Sequence, residues 1–332
     1  MDTRRLVKGH GTENDFLVAV DPDGSAGPLD PAVVAALCRR RGGLGADGVI
    51  RAVRVADAPE AAAWAADAPD AEWFMDYRNA DGSPAEMCGN GVRVMAEVLA
   101  REGLVDPAGV TVLTRSGGRR LVRETADPVA GWWSVGMGRV GIGVPDGAAT
   151  DAAPGDSDVD TLVAAPGLTA VPRPGMRVTV GNPHVVVAVT GRDELEAVDL
   201  GRSPVLDPPP ADGANVEFVL VTGRDEGTGA GLVTMRVHER GSGETRSCGT
   251  GAVAAAAAAA EWARPGAPVE WVVDVRGGRL RVRLEDDGTA TLTGPVRLLG
   301  TVAVDQDWWR DLAPEPAGDH GPGLSPAVPA GA

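Results

Sequence analysis

Lysine is almost absent from this 332-residue chain: Lys8 stands alone beside thirty arginines. A pyridoxal-phosphate enzyme needs a lysine for its Schiff base, so that class is all but excluded. Aromatic residues make up only 4% of the chain, too few for a base-stacking platform. Basic residues number 31 against 47 acidic ones, a formal charge of −16. A nucleic-acid or anionic-membrane partner needs the opposite balance. The three cysteines, Cys38, Cys88 and Cys248, make no disulfide framework. The longest apolar run, Ala252–Ala260, is too short to span a bilayer. The N-terminus MDTRRLVKGHG has no apolar signal region. HExxH, Cys-x-x-Cys and clustered histidines are missing, so no metal site is expected. A GxSxG elbow is missing too. Gly42, Gly43, Gly45 and Gly48 lack the strand and helix of a dinucleotide site. These absences describe a soluble protein of a reducing cytoplasm, with no nucleic acid and no membrane as partner.

What is present fits about two domains, at roughly 150 residues each. Apolar alternation predicts a strand ending at Val20, and strands at 73–78, 110–114, 119–124 and 131–137. Further strands are expected at 177–180, 184–189, 216–221, 232–238, 269–275, 279–284, 289–293 and 296–304. Helices are expected at 31–41, at 89–102 with Gly103 as its stop, and at 249–263 with Pro265 as its stop. Residues 55–71 read as a loop insertion and 141–175 as a long loop. Residues 313–332 are low in complexity and read as a disordered tail.

An internal repeat carries the chemistry. Cys88-Gly89-Asn90-Gly91 recurs as Cys248-Gly249-Thr250-Gly251, 160 residues later. Asn79 and Glu239 each stand nine residues before a repeat cysteine. Asn14 and Asn182 each open an apolar strand, and Gly48 and Asn215 follow them by 34 and 33 residues. The chain therefore contains two copies of one unit, and the Cys-Gly-x-Gly turns should face each other across the cleft between them. Each turn opens a predicted helix. A helix start leaves N–H groups unpaired and partly positive, and glycines let an anion approach them. The same field favours a thiolate, so a lowered thiol pKa is expected. A single cysteine at a helix start is usually a small buried hydrophobe. Recurrence of the whole turn at duplicated positions argues against that for Cys88 and Cys248. Cys38, within an apolar helical pattern, is read as structural.

The segments HGTENDF (10–16), RRGGLGADG (40–48), RNADGSPAEMCGNGVR (78–93), GNPH (181–184), NVEFV (215–219) and HERGSGETRSCGTGA (238–252) together resemble the diaminopimelate epimerase family. The resemblance implies an α+β fold of two pseudo-symmetric domains, each a mostly antiparallel, barrel-like sheet around a central helix. The implied domains are 1–130 plus 294–312, holding Cys88, and 131–293, holding Cys248. The implied activity is cofactor-independent interconversion of LL- and meso-2,6-diaminopimelate by a homodimer. Of Cys88 and Cys248, one would act as thiolate base and the other as thiol acid, on opposite faces of the α-carbon. The substrate α-carboxylate would rest on the N–H groups of Gly89, Asn90, Gly249 and Thr250. Asn14, Asn79, Asn182, Asn215, Glu239 and Arg240 would hold the amino and distal carboxylate groups. His184 and Glu239 would tune the thiols. Some members have a substrate-contacting Gln where this chain has Gly48, so that contact is not carried over. The alternatives are a proline-racemase-like isomerase of the same fold and a dithiol redox or small-molecule binding protein.

Overall fold

A computed structural model describes residues 4–125, 131–143, 161–168, 171–211 and 213–312. The chain forms two similar runs of elements. The first comprises β1 (Arg4–Gly11), β2 (Asn14–Val20), α1 (Pro31–Cys38), β3 (Gly48–Arg54), β4 (Trp73–Asn79), α2 (Gly89–Arg101), β5 (Val110–Thr114), β6 (Gly117–Arg123) and β7 (Trp133–Arg139). β8 (Gly141–Ile142) and β9 (Thr161–Ala164) follow. The second run comprises β10 (Arg173–Thr179), β11 (Pro183–Ala188), α3 (Arg192–Ala197), β12 (Val205–Asp207), β13 (Asn215–Arg224), β14 (Gly231–Glu239), β15 (Gly243–Thr245), α4 (Gly249–Trp262), β16 (Glu270–Val275), β17 (Gly278–Leu284) and β18 (Thr289–Gly294). β19 (Arg297–Val304) and α5 (Gln306–Leu312) close the described chain.

The repeat read from two tetrapeptides extends to strand order and register. β2 runs parallel to β3, β3 antiparallel to β4 and β4 parallel to β5. β11, β13, β14 and β16 repeat that alternation. Phe16 lies opposite Gly48 in the first run, and His184 opposite Asn215 in the second. Gly48 pairs with Asn79. Val216 pairs with His238, which brings Asn215 beside Glu239. Antiparallel pairing of β7 with β18 joins the two runs, and β19 returns to pair with β1.

Each run wraps its sheet around one helix. α2 packs on β1, β2, β3 and β7, and α4 packs on β10, β11, β13, β14, β16, β17 and β18. A helix enclosed on all sides needs side chains small enough for the sheet to close over it. In α4 the run Ala252–Ala259, broken by Val253 alone, is buried throughout. Alanine is also the best helix former, so packing and propensity agree there. Helix α2 solves the problem with larger residues and buries Arg93 and Glu97 completely. Glu97 accepts hydrogen bonds from Trp133 Nε1 at 2.9 Å and Arg101 Nε at 2.8 Å, and Arg93 Nε donates to Gly89 O at 3.0 Å.

Several expectations are corrected. Residues 55–71 are not an unstructured loop but three short 3₁₀ turns, 55–57, 59–63 and 65–67. Ala58, Ala61, Ala68 and Ala71 from this segment pack on Phe74, and Trp64 stacks on Phe74 at 6.3 Å and 10°. The alanines read as filler because their apolar surface is small and interrupted by acids. Residues 141–175 are not one loop either: they include β8, β9 and the start of β10. The strand ending at Val20 is a hairpin whose turn residues Thr12 (φ 48°) and Glu13 (φ 63°) adopt left-handed backbone. Asn-Gly, the usual mark of such a turn, is absent from them. Strand β3 is not among the strands that the sequence predicts. Its central Arg51 interrupts the apolar pattern, yet it is buried and paired with Asp21 at 2.8 Å and Glu60 at 2.6 Å. The tail expected at 313–332 lies outside the described residues.

Candidate active site

Cys88 and Cys248 are the N-cap residues of α2 and α4. Each Sγ accepts the N–H of the glycine three residues on, Gly91 or Gly251, at 3.4 Å. The two helix starts meet: a Cβ on Gly249 would lie 3.3 Å from Gly89 Cα. That close approach favours glycine at 249, while a Cβ on Gly89 would crowd Leu292 Cδ2 at 3.0 Å and Met137 Cε at 3.3 Å. Both turns line one cleft of about 830 Å³.

Most of the predicted residues gather there. Asn14, Asn79, Cys88, Gly89, Asn182, Glu239, Arg240, Cys248, Gly249 and Thr250 all line the cleft. Asn90, His184 and Asn215 lie buried behind its walls. Asn14 donates to Asp47 Oδ2 at 2.8 Å, and its Oδ1 accepts from Asn90 Nδ2 at 3.2 Å. Cys88 Sγ lies 3.6 Å from the same Oδ1. Asn79 donates to Ser83 Oγ at 3.1 Å. Asn215 Oδ1 accepts the Arg240 N–H at 3.0 Å. The Thr245 hydroxyl donates to Glu239, and Cys248 Sγ sits 3.4 Å from Thr250 Oγ1.

The side chain of Asn90 works structurally. With Ser247 and Thr12 it forms a buried polar seam between the runs, with Thr12 Oγ1 2.6 Å and Asn90 Nδ2 3.3 Å from Ser247 Oγ. Arg93 also donates to Asn90 Oδ1. Glu13 and Arg246 form an ion pair across the same seam.

The thiols depart from the expectation of a lowered pKa. Cys88 is pushed up to about 11, first by burial, with the Gly91 N–H opposing and Glu239 adding to the rise. Cys248 is held well above the ordinary thiol value by burial, then by Glu239 and Glu217. Glu239 is itself raised, chiefly by burial. Desolvation penalises the charged form of each group, and one or two N–H bonds at a helix start do not offset it. Cys38 is buried in the α1 core, as its structural reading requires.

Some residues in or behind the site carried no signal in the sequence reading. Tyr77 lines the cleft, and its ring edge occupies the space over Gly48, where a Cβ would meet Tyr77 Cε2 at 2.6 Å. Register reveals why: Gly48 matches Asn215 of the second run, and the ring fills the place of its missing side chain. Glu217 is fully buried, and its Oε1 lies 2.7 Å from His184 Nδ1. It sits inside the segment NVEFV, where an apolar strand pattern hides a lone acid.

The sequence model of the family described as "Diaminopimelate epimerase" matches residues 6–142 and 176–299. The chain belongs to that family. It is 44% identical over 317 residues to the diaminopimelate epimerase of Streptomyces coelicolor, covering 93% of this chain and 98% of that protein. To the diaminopimelate epimerase of Thermobifida fusca it is 47% identical over 293 residues, 88% of this chain and 94% of that one. Among solved structures, a predicted epimerase from Pseudomonas aeruginosa superposes with a TM-score of 0.60 at 19% identity, covering 91% of this chain and 99% of that one. A probable proline racemase from Agrobacterium radiobacter gives 0.56 at 17% identity, over 91% and 93% of the two chains. These structural likenesses establish the fold, two similar α+β halves. The proline-racemase-like reading is not favoured, because that likeness is one of fold alone. Among the described residues no helix is long and apolar enough to cross a membrane.

Proposed function

We propose that this chain is an isomerase that interconverts LL- and meso-2,6-diaminopimelate, in lysine and peptidoglycan precursor biosynthesis, with Cys88 and Cys248 as its two proton-transfer groups. The observation that carries the reading is the meeting of two cysteine-capped helix starts in one cleft. One thiolate removes the α-proton and the opposite thiol delivers a proton to the other face, so the carbon inverts without the substrate turning over. The α-proton of an amino acid is weakly acidic, and charge moves into the α-carboxylate as it leaves. N–H groups of Gly89, Asn90, Gly249 and Thr250, aimed at that carboxylate, stabilise the developing charge. Asn14, Asn79, Asn182, Asn215, Glu239 and Arg240 hold the amino groups and the distal carboxylate. His184 and Glu239 tune the thiols.

The reaction needs no cofactor in this reading, and the enzyme works as a cytoplasmic homodimer. Residues 1–130 with 294–312 form one domain and 131–293 the other. Closure of the two on substrate excludes water and makes the thiolate an effective base. Reduced protein incubated with stereopure LL-diaminopimelate in D₂O tests the reading. Meso product labelled at the inverted carbon, with little label in recovered substrate, supports it. Inversion with the original hydrogen retained, or no turnover of this substrate, overturns it.

A further inference from the structure

The two halves share strand register but not the residues behind their cysteine turns. Counting from Asn14 and Asn182, Phe16 matches His184. Counting from Gly48 and Asn215, Ile50 matches Glu217. The glycine that ends each turn reports the difference. A Cβ on Gly91 would meet only apolar atoms: Met75 Cε at 3.0 Å, Ile50 Cδ1 at 3.1 Å and Phe16 Cε1 at 3.3 Å. A Cβ on Gly251 would meet Glu217 Oε1 at 2.6 Å and Cys248 Sγ at 3.3 Å. The carboxylate and the thiol flank the same bare Cα, within about 6 Å of each other by those two distances.

Glu217 is a costly residue to keep there. Its side chain is wholly buried, and Oε2 has no hydrogen-bond partner among the described residues. Oε1 holds His184 Nδ1 at 2.7 Å, and His184 Nε2 lies 3.0 Å from Asn182 Oδ1 at the cleft. A carboxylate on one ring nitrogen fixes the orientation of the ring and the role left to the other nitrogen. Replacing such a pair by well-packed apolar residues commonly leaves a protein as stable or more so, and the first half shows that apolar residues pack at these positions. Folding alone therefore does not account for the pair.

We infer that Glu217 is a positioning residue for the chemistry at Cys248: it orients His184 toward Asn182, and its carboxylate behind Gly251 makes the second thiol differ from the first. The inference rests on the epimerase reading for its catalytic part only. The groups facing Cys248 are Glu239 from β14, Glu217 from β13, and Thr250 and the Gly251 N–H from α4, with His184 of β11 held on Glu217. An adjacent anion opposes thiolate formation, so removing it lowers the pH at which Cys248 ionises.

The test is alkylation of the full-length reduced protein by iodoacetamide across pH, with Cys88 and Cys248 followed separately by peptide mass spectrometry, beside steady-state kinetics. In Glu217→Gln the alkylation midpoint of Cys248 should fall by about half a unit or more, that of Cys88 should stay, and kcat should drop about tenfold or more. Glu217→Asp keeps the charge but shortens the reach, so the Cys248 midpoint should hold while kcat falls. The double variant His184→Phe with Glu217→Ile gives the second half the first half's packing. It should fold and bring the Cys248 midpoint toward that of Cys88. Midpoints that do not move, or that move equally for both cysteines, in variants with parental circular dichroism overturn the electrostatic part. Parental kcat in Glu217→Asp overturns the positioning part, and failure of all three variants to fold overturns the inference whole. Alkylation needs no substrate, so a failed epimerase reading leaves the midpoint comparison standing.

Discussion

Behind Gly91 the first half of the molecule places Phe16, Ile50 and Met75, whereas behind Gly251 the second half places Glu217, with His184 on it. The central helices differ in the opposite sense. Helix α2 buries Arg93 and Glu97, while the buried stretch of its counterpart α4 is mostly alanine. Backbone course, strand order and the cysteine cap are common to both halves. The buried polar groups are not. The two halves thus offer two similar cysteine-capped helix starts, and single buried side chains make their surroundings unequal. That suits the proposed reaction, in which one thiol takes a proton while the other gives one.

Removing either thiol asks whether the halves are equal partners. Cys88→Ala and Cys248→Ala should each lower kcat/KM by about 10³-fold, as a positioned acid or base contributes about 10²–10⁴-fold. A variant that keeps a tenth of parental activity would show that one half works alone.

The pH profile sharpens the comparison further. The proposed mechanism needs one thiolate and one thiol, and both thiols are raised, Cys88 to about 11 and Cys248 well above its ordinary value. Activity should therefore climb about tenfold per pH unit on its acid side, and fall once both sulfurs ionise. A rate independent of pH between 6 and 8, after correction for substrate ionisation, would contradict this. Stability should run the other way. A thiol raised in the fold stabilises fully below its unfolded pKa of about 8.5, and that contribution is lost as pH rises through the folded value. Denaturation midpoints measured from pH 8 upward should fall. Cys38→Ala should lessen the fall, since Cys38 is held at about 12, mainly by burial.

Gly251→Ala and Gly91→Ala compare the two turns directly. The first drives a methyl to 2.6 Å from a buried carboxylate oxygen, the second to 3.0 Å from the flexible end of Met75. Gly251→Ala should lose at least tenfold more activity. Equal losses would mean that the cap geometry matters and its surroundings do not. The smallest effect is expected from packing. Ala255→Leu in the enclosed helix α4 should cost about 1–3 kcal/mol through overpacking, read as a lower urea midpoint at unchanged slope. An unchanged midpoint would mean that the sheet around α4 is looser than its burial implies.

The sequence by itself determined the repeat, both helices that open at cysteine and most of the strands, because these rest on local signals, and the repeat with the family resemblance pointed to ten residues lining the cleft. Cap residues, glycine turns and apolar alternation act over a few positions of chain. Strand β3 escaped because its central arginine, Arg51, is neutralised by Asp21 and Glu60, which lie 30 and 9 residues away. The thiol pKa values came out in the wrong direction because burial is a property of the packed cleft, and sequence shows only the helix start. Glu217 stood in view within NVEFV, yet nothing local marks it as the partner of His184. Only the parallel pairing of β11 with β13 brings the two together. Tertiary structure alone decided which half is apolar and which is charged behind its cysteine, because that depends on strands separated in sequence meeting at one buried point.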